Sequence, residues 1–489
     1  MQGFQIWLLA LVMTVTGLPD SYYKARQAFI DEELAMRVGA KQILNIKEQK
    51  VNTFLMNLKN QTIQQSIWTT TPYPPAISFF KSKPWIDNST IYKIIKMMPK
   101  GGVLHIHNTA MTSIDWVIKT FTYLPDVYTR VENGTYPTRL YTYSSQHPGS
   151  DWTLVSDLRA RAQDPKQFDE SLIYEMSIWS EDPFLAYPTV NDVWKKFRNY
   201  FTSLGGLLKT SEHYRMYFEQ ALKEFYEDGV QYIEIKTTST SEEFLIQHQN
   251  FVDNFKSKYA DFIGVKLIIG GRRSATNQRD IVNKTLELMK KYPNLIKGFD
   301  LLSQEDVNHW TVEFADDLLK DNQSRLPYFF HAGETDWTQW VDFNLVDSVL
   351  MNASRIGHGY GVYHHPKVLE AVLRKHIAVE LNPISNQVLG LVNDLRNHPG
   401  AYLFAVGAPV VISSDDPASW LAAPLSHDFY MAFMALGAVH DDLRLLKQLA
   451  INSITYSTMT DEERAEAMTK WQRKWEEFID AVIRQFQLK

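Results

Sequence analysis

At 489 residues, with 50 Lys and Arg against 56 Asp and Glu, the chain carries a net charge of −6. That balance gives no electrostatic reason to expect nucleic acid or an anionic membrane as partner, and 45% hydrophobic with 13% aromatic content excludes a disordered chain. Cysteine is absent, which rules out a thiolate nucleophile and Cys-ligated zinc; a core this large needs no disulfides even on a secretory route.

The N-terminus opens with an apolar run from Ile6 to Met13, ending near Val15-Thr16-Gly17. It is too short to span a bilayer and reads as a signal peptide over residues 1–17, although no Lys or Arg precedes it. Sequons at Asn60, Asn88, Asn133, Asn283, Asn322 and Asn352 suit a secreted, extracellular glycoprotein. Residues 18–98 read as a helical arm, with Phe29, Leu34, Val38 and Ile43 near one face. Such a face packs either on the chain's own next domain or on a second copy, giving a homodimer.

Over residues 99–489, short runs rich in β-branched and aromatic residues alternate with stretches of helical period. The expected strands are Val103–His107, Gln231–Lys236, Val265–Ile269, Ile296–Leu302, Pro327–His331, Arg355–His358, Ile377–Asn382 and Pro409–Ser414. Eight such strands separated by helices point to an α/β fold, a closed (β/α)8 TIM-type barrel. The connection between strands one and two is too long for a minimal barrel, and its Tyr-, Thr-, Pro- and Ser-rich part, about 120–169, reads as an inserted lobe. The last helix starts at a capping box, Thr460 with Glu463. Its stripe of Met468, Trp471, Trp475, Phe478, Ile479, Val482 and Phe486 reads as packing.

The chemistry sits where strands end. His105 and His107 close the first strand, and residues two apart on a strand share a side, so both imidazoles can grip one metal ion. A lone H-x-H occurs often by chance, and a single strand-end His is more often structural than a ligand. Three later strands end in matching residues: His331-Ala332-Gly333-Glu334, Gly357-His358-Gly359 and Asp415-Asp416. Three His and one Asp suit one zinc ion per chain with an open position for water. Glu334 then serves as general acid/base, His358 holds or deprotonates the attacking water, and Asp416 is free to bind substrate. Gly357–Gly361 lacks the spacing and the following Lys of a phosphate loop.

Met98–His107, His331–Glu334, Gly357–Gly359, Asn382–Gln387 and Ser414–Pro417 resemble, in order, the motifs of the adenosine deaminases, and the signal, helical arm and insertion are similar to those of their secreted, growth-factor-related branch. The resemblance implies a metal-dependent hydrolase that converts adenosine, and 2′-deoxyadenosine, to the inosine nucleoside and ammonia. It implies zinc on His105, His107, His331 and Asp415, proton donation from Glu334 to purine N1, a hydroxide oriented by His358, and Asp416 at N7. It also implies dimerisation through the arm, a receptor-binding or substrate-covering lobe, and Trp194 near the pocket. Two residues depart from the pattern. Asn108 stands where Asp is usual beside the ribose, so a charge is lost and Asn108→Asp is expected to strengthen ribose recognition. Ser303 stands where a Gly lets its backbone N–H meet the purine. The alternative reading is therefore an extracellular signalling protein with a weakened deaminase site.

Overall fold

A computed structural model describes residues 20–320 and 326–488. The signal-peptide reading and the Asn322 sequon lie outside the described residues. Eleven strands are present among them: β1 (Gly101–His107), β2 (Val127–Glu132), β3 (Thr138–Tyr143), β4 (Thr153–Leu154), β5 (Val230–Thr237), β6 (Gly264–Arg272), β7 (Ile296–Leu302), β8 (His331–Ala332), β9 (Arg355–His358), β10 (Ala378–Leu381) and β11 (Val410–Ile412).

Eight of these strands make a closed parallel barrel. β1, β5, β6 and β7 pair in that order, and β8, β9, β10 and β11 pair in that order. Two parallel bridges join the halves, Phe299 to Tyr328 and Ile106 to Asp415. The eight expected strands are the eight staves. They are buried along nearly their whole length because helices cover one side and the barrel interior the other, and β5 is buried at every residue. The fifth stave is the most irregular: only His331–Ala332 form a regular strand, and residues 327–329 reach β7 through the bridge and two backbone hydrogen bonds.

Helices at Asp20–Met36, Ile46–Trp68, Phe79–Asn88 and Thr90–Met97 precede the barrel. The apolar face expected in the arm is only partly covered. Val38 is buried, whereas Phe29, Leu34 and Ile43 are exposed. Between β1 and β5 the antiparallel sheet β3-β2-β4 and its helices gather a second, smaller core, which includes Val127, Tyr141, Val155, Leu172, Leu204 and Tyr217. Leu204 and Tyr217 lie beyond residue 169, so this core draws on helices that follow the Tyr- and Thr-rich stretch. Gly206 is needed there: a Cβ would sit 2.2 Å from the Tyr141 carbonyl oxygen. The helix Asp461–Gln485 opens on the Thr460–Glu463 capping box and buries Trp471, Trp475, Phe478, Ile479 and Val482. Its two buried indoles donate to Pro99 O and Glu48 Oε1, tying the last helix to the start of the barrel and to the arm. No helix among the described residues is long and apolar enough to cross a membrane.

Candidate active site

The ends of β1, β8, β9 and β11 bring four ligand-type side chains together. One ligand atom from each of His105, His107, His331 and Asp415 lies within 4.8 Å of all the others. His105 Nε2 is 3.3 Å and His107 Nε2 3.1 Å from Asp415 Oδ1. His105 Nε2 and Asp415 Oδ1 are buried without a hydrogen-bond partner among the described residues. Converging, unpartnered atoms at this spacing fit a bound cation: ligands with bonds of ~2.0 Å in a tetrahedron lie roughly 3.3 Å apart. The donor set, imidazole and carboxylate without sulfur, suits zinc. His105 needs room, and Gly357 provides it, since a Cβ there would come 3.0 Å from the His105 ring.

Behind the imidazoles stands a buried charge network. Glu380 Oε2 lies 2.7 Å from His105 Nδ1, and Asp300 Oδ2 lies 2.8 Å from His331 Nδ1. A carboxylate only accepts, so each Nδ1 carries the hydrogen and each Nε2 is left free for a metal. Lys236 sits between the two acids, 2.7 Å from Asp300 and 3.4 Å from Glu380. Arg355 donates to the other oxygen of Glu380 at 2.7 Å. Burial opposes ionisation of both acids, yet His331 and Lys236 at Asp300, and Lys236 and Arg355 at Glu380, outweigh it and hold both below the carboxylate range. Burial pushes His331 down to about 3, so this imidazole is neutral, as a ligand must be.

The acid–base residues surround the same point. Glu334 Oε1 is 3.6 Å from His358 Nδ1, and His358 Nε2 is 3.8 Å from Asp415 Oδ2. Burial, with Asp415 and Glu305 adding to it, pushes the Glu334 carboxyl well above its usual range. Its backbone N–H and that of Gly333 donate to Glu305, which fixes the turn. Asp416 is likewise pushed up, by burial and by Asp415, and its Oδ1 has no partner among the described residues. Ser385 donates to Asp415 Oδ2 at 2.7 Å.

The tautomer of His358 follows from a chain of hydrogen bonds with a fixed start. The Gly400 backbone N–H donates to His398 Nδ1 at 2.9 Å. His398, kept neutral by burial, must then donate from Nε2 to Asn386 Oδ1 at 2.9 Å. The Asn386 amide faces His358 Nδ1 at 3.1 Å and donates to it. Burial holds His358 neutral, so its one hydrogen is on Nε2, toward the metal cluster. Both His358 and Asp415 have φ near +60°, a strained backbone of the kind found at functional sites.

A family model described as "Adenosine deaminase" matches residues 176–473, and one described as "Adenosine/AMP deaminase N-terminal" matches residues 4–95. The chain is 39% identical to an adenosine deaminase of Aedes albopictus, covering 94% of this chain and 88% of that protein. It is 37% identical to adenosine deaminase 2 of Homo sapiens, covering 96% of each. The chain belongs to the adenosine deaminase family. Solved structures share the deaminase fold at low identity. An N6-mAMP deaminase of Arabidopsis superposes with TM-score 0.55 at 17% identity, covering 78% of this chain and 99% of that one. A zinc-bound amidohydrolase superposes with TM-score 0.52 at 16% identity, covering 80% and 94%.

In this adenosine deaminase family member one cavity of about 690 Å³ opens onto the cluster. His107, Asn108, Trp194, Ser303, His331, Glu334, His358, Asp415 and Asp416 all line it, and His105 is buried beside it. Every residue singled out from the sequence is therefore at one place. Of the two departures, Ser303 has φ +94°, a conformation that costs an L-residue strain and a Gly nothing. Asn108 bonds the Tyr214 hydroxyl, which is also 3.0 Å from His248 Nε2. His248 Nδ1 faces the Phe244 carbonyl at 3.1 Å and so carries its hydrogen. Tyr214 therefore donates to His248 and accepts from the Asn108 amide, leaving Asn108 Oδ1 as the free acceptor.

Sequence reasoning missed Lys236, Asp300, Glu380, Arg355, Asn386 and His398 as parts of the site. A signal existed for three of them. Lys236, Asp300 and Glu380 are charged residues inside strands expected to be barrel staves, where a charge is almost never buried unpaired.

Proposed function

We propose that this chain is a secreted, zinc-dependent adenosine deaminase, adding water to adenosine or 2′-deoxyadenosine and releasing the inosine nucleoside and ammonia. The observation that carries this reading is the meeting of His105, His107, His331 and Asp415 with Glu334 and His358 at the floor of one cavity. A zinc ion held by those four residues supplies Lewis-acid activation of water at neutral pH. Glu334, kept protonated by burial, gives a proton to purine N1 and makes C6 electrophilic. His358 donates its Nε2 hydrogen to the attacking oxygen and orients it. The relay that starts at Gly400 supports this orienting role over that of a base. Asp416, also kept protonated, donates to the acceptor N7. The Ser303 backbone N–H meets the purine, Asn108 Oδ1 accepts from the ribose, and Trp194 closes the pocket edge.

Residues 1–17 form the signal peptide in this reading. Residues 18–98 form a dimerisation arm, and the exposed Phe29, Met36, Ile43 and Ile46 support an apolar contact with a second copy. The inserted lobe, about 120–169, covers substrate or meets a cell-surface receptor. A second reading, a signalling protein with a weakened site, draws on the strained Ser303. Purified protein loaded with zinc and mixed with adenosine separates the two. Appearance of inosine and ammonia supports the enzyme, and a zinc-loaded protein that produces neither overturns it.

A further inference from the structure

We infer that Gln387 is a positioning residue for the deamination: by tying the helix that carries Asn386 to the N-terminal arm, it holds the Asn386 amide on His358. The inference deepens the deaminase reading and rests on the orienting role given there to His358.

The short helix Pro383–Val388 follows β10, and each of its six residues is buried. Three consecutive side chains on it reach three different neighbours. Ser385 donates to Asp415 at 2.7 Å, and Asn386 joins His398 to His358. Gln387 turns to the arm. Its Oε1 accepts the Phe79 N–H at 2.8 Å. Its Nε2 donates to the Ile77 carbonyl at 3.1 Å and to the Asn393 carbonyl at 2.7 Å. Each atom of this amide meets a group of the opposite kind, so its orientation is fixed.

The joint serves both sides. Phe79 opens the arm helix Phe79–Asn88, whose cap residue Ser78 makes no side-chain capping bond. A helix start leaves its first N–H groups without intrahelical partners, and Gln387 satisfies one of them from 308 residues away. The arm in turn anchors the end of Pro383–Val388 next to Asn386. The other end is anchored by Asp428, whose Oδ1 accepts the Ile384 N–H at 3.1 Å. A helix this short has little stability of its own, so its placement depends on such anchors. A misplacement of about 1 Å in an active-site group costs on the order of 10²-fold in rate. Freed from the arm, Asn386 would lose its register on His358.

Lys59 is a useful contrast. It also joins the arm to the barrel domain, its Nζ donating to the carbonyls of Ala438 and Asp441 at 2.8 Å each. Neither of those residues is among the ones lining the cavity.

The test uses the full zinc-loaded chain with adenosine and compares Gln387→Met with Lys59→Met. Both variants lose buried bonds between arm and barrel, and both should melt earlier than the parent. Gln387→Met should also lose about 10–100-fold in kcat, with KM and zinc content at the parent's values. Lys59→Met should keep the parent's kcat. Asn386→Ala supplies the second arm of the test. If Gln387 acts through Asn386, Gln387→Met should cost little more once that amide is gone. Should Gln387→Met fail to fold, Gln387→Glu, which keeps the oxygen that receives the Phe79 N–H, takes its place with the same expectations. An unchanged kcat in the Gln387 variant, an equal loss in Lys59→Met, or losses that multiply in the Asn386→Ala background overturns this inference and leaves the deaminase reading standing. A parent that does not deaminate adenosine overturns the deaminase reading, and nitrogen-15 NMR then decides the inference. Loss of Gln387 should let the His358 hydrogen spread to Nδ1, and a His358 signal identical to the parent's overturns it.

Discussion

Glu380 on β10 reaches across the barrel to His105 on β1, its Oε2 lying 2.7 Å from Nδ1 with neither side chain exposed to solvent. The acid thereby sets which nitrogen of His105 is free, while Lys236 and Arg355 keep it ionised. Glu380→Gln should weaken zinc binding by about 10–100-fold, the usual effect of losing a group that orients a metal ligand. It should also lower the melting temperature, because two buried cations lose a counter-charge. Titration against a chelator of known affinity, with thermal melts of the loaded protein, checks both. Unchanged zinc affinity would remove Glu380 from the metal's support.

Glu334→Gln keeps shape and hydrogen-bonding capacity but has no acidic proton to give. Zinc content and melting temperature should match the parent, while kcat drops by about 10²–10⁴-fold. Steady-state deamination with metal analysis of the same samples decides it, and a variant as fast as the parent would assign the proton donor elsewhere.

The His358 relay makes a sharper demand. Asn386→Asp replaces the amide that donates to His358 Nδ1 with a carboxylate that can only accept. His358 should then move its hydrogen to Nδ1 and present a bare Nε2 to the attacking oxygen. A loss of about 10²–10⁴-fold in kcat is expected, with KM little changed, by analogy with other active-site imidazoles held in the wrong tautomer. Nitrogen-15 NMR of the imidazoles reads the tautomer directly. A variant retaining Nε2–H would show that the relay does not control it.

For Asn108 the hydrogen-bond polarity argues against the charge argument. An Asp at 108 would compete for the Tyr214 proton already given to His248, leaving a half-buried acceptor without its hydrogen bond. Asn108→Asp should therefore destabilise the fold by about 1–3 kcal/mol and fail to improve kcat/KM. Denaturant melts and kinetics on adenosine measure the two effects. A gain of ten-fold in kcat/KM would instead support the simple loss of a ribose contact.

Ser303→Gly should remove strain at φ +94° and let the backbone approach the purine more closely. Strain of about 1–3 kcal/mol at such a position outweighs the extra chain entropy of Gly, about 0.5–1 kcal/mol, so both stability and kcat/KM should rise. Equilibrium unfolding checks the first and kinetics the second, and a less stable variant would mean that Ser303 is comfortable as it stands.

Much of this was legible in the chain because periodicity and strand-end chemistry are local. His105, His107, His331, His358 and Asp415 each follow an apolar run, and the run itself says strand. The supporting network was not legible, because its members meet only in space. Asp300 serves His331 from 31 residues away, and Glu380 serves His105 from 275 away. The same limit applies to Phe29, Leu34 and Ile43, which share an expected apolar face and are left exposed among the described residues.

The seam of the barrel lies at the metal cluster. His107 N–H donates to the Asp415 carbonyl, and Asp415 N–H donates to that of His105, so the first and last staves are stitched by the backbone of three ligand residues. A ribosome must therefore release more than four hundred residues before a complete cluster can exist, and the helix Asp461–Gln485 that braces Pro99 comes later still. Metal uptake is in this way a report that synthesis and closure are finished, and a truncated product holds an incomplete ligand set however well its N-terminal half folds.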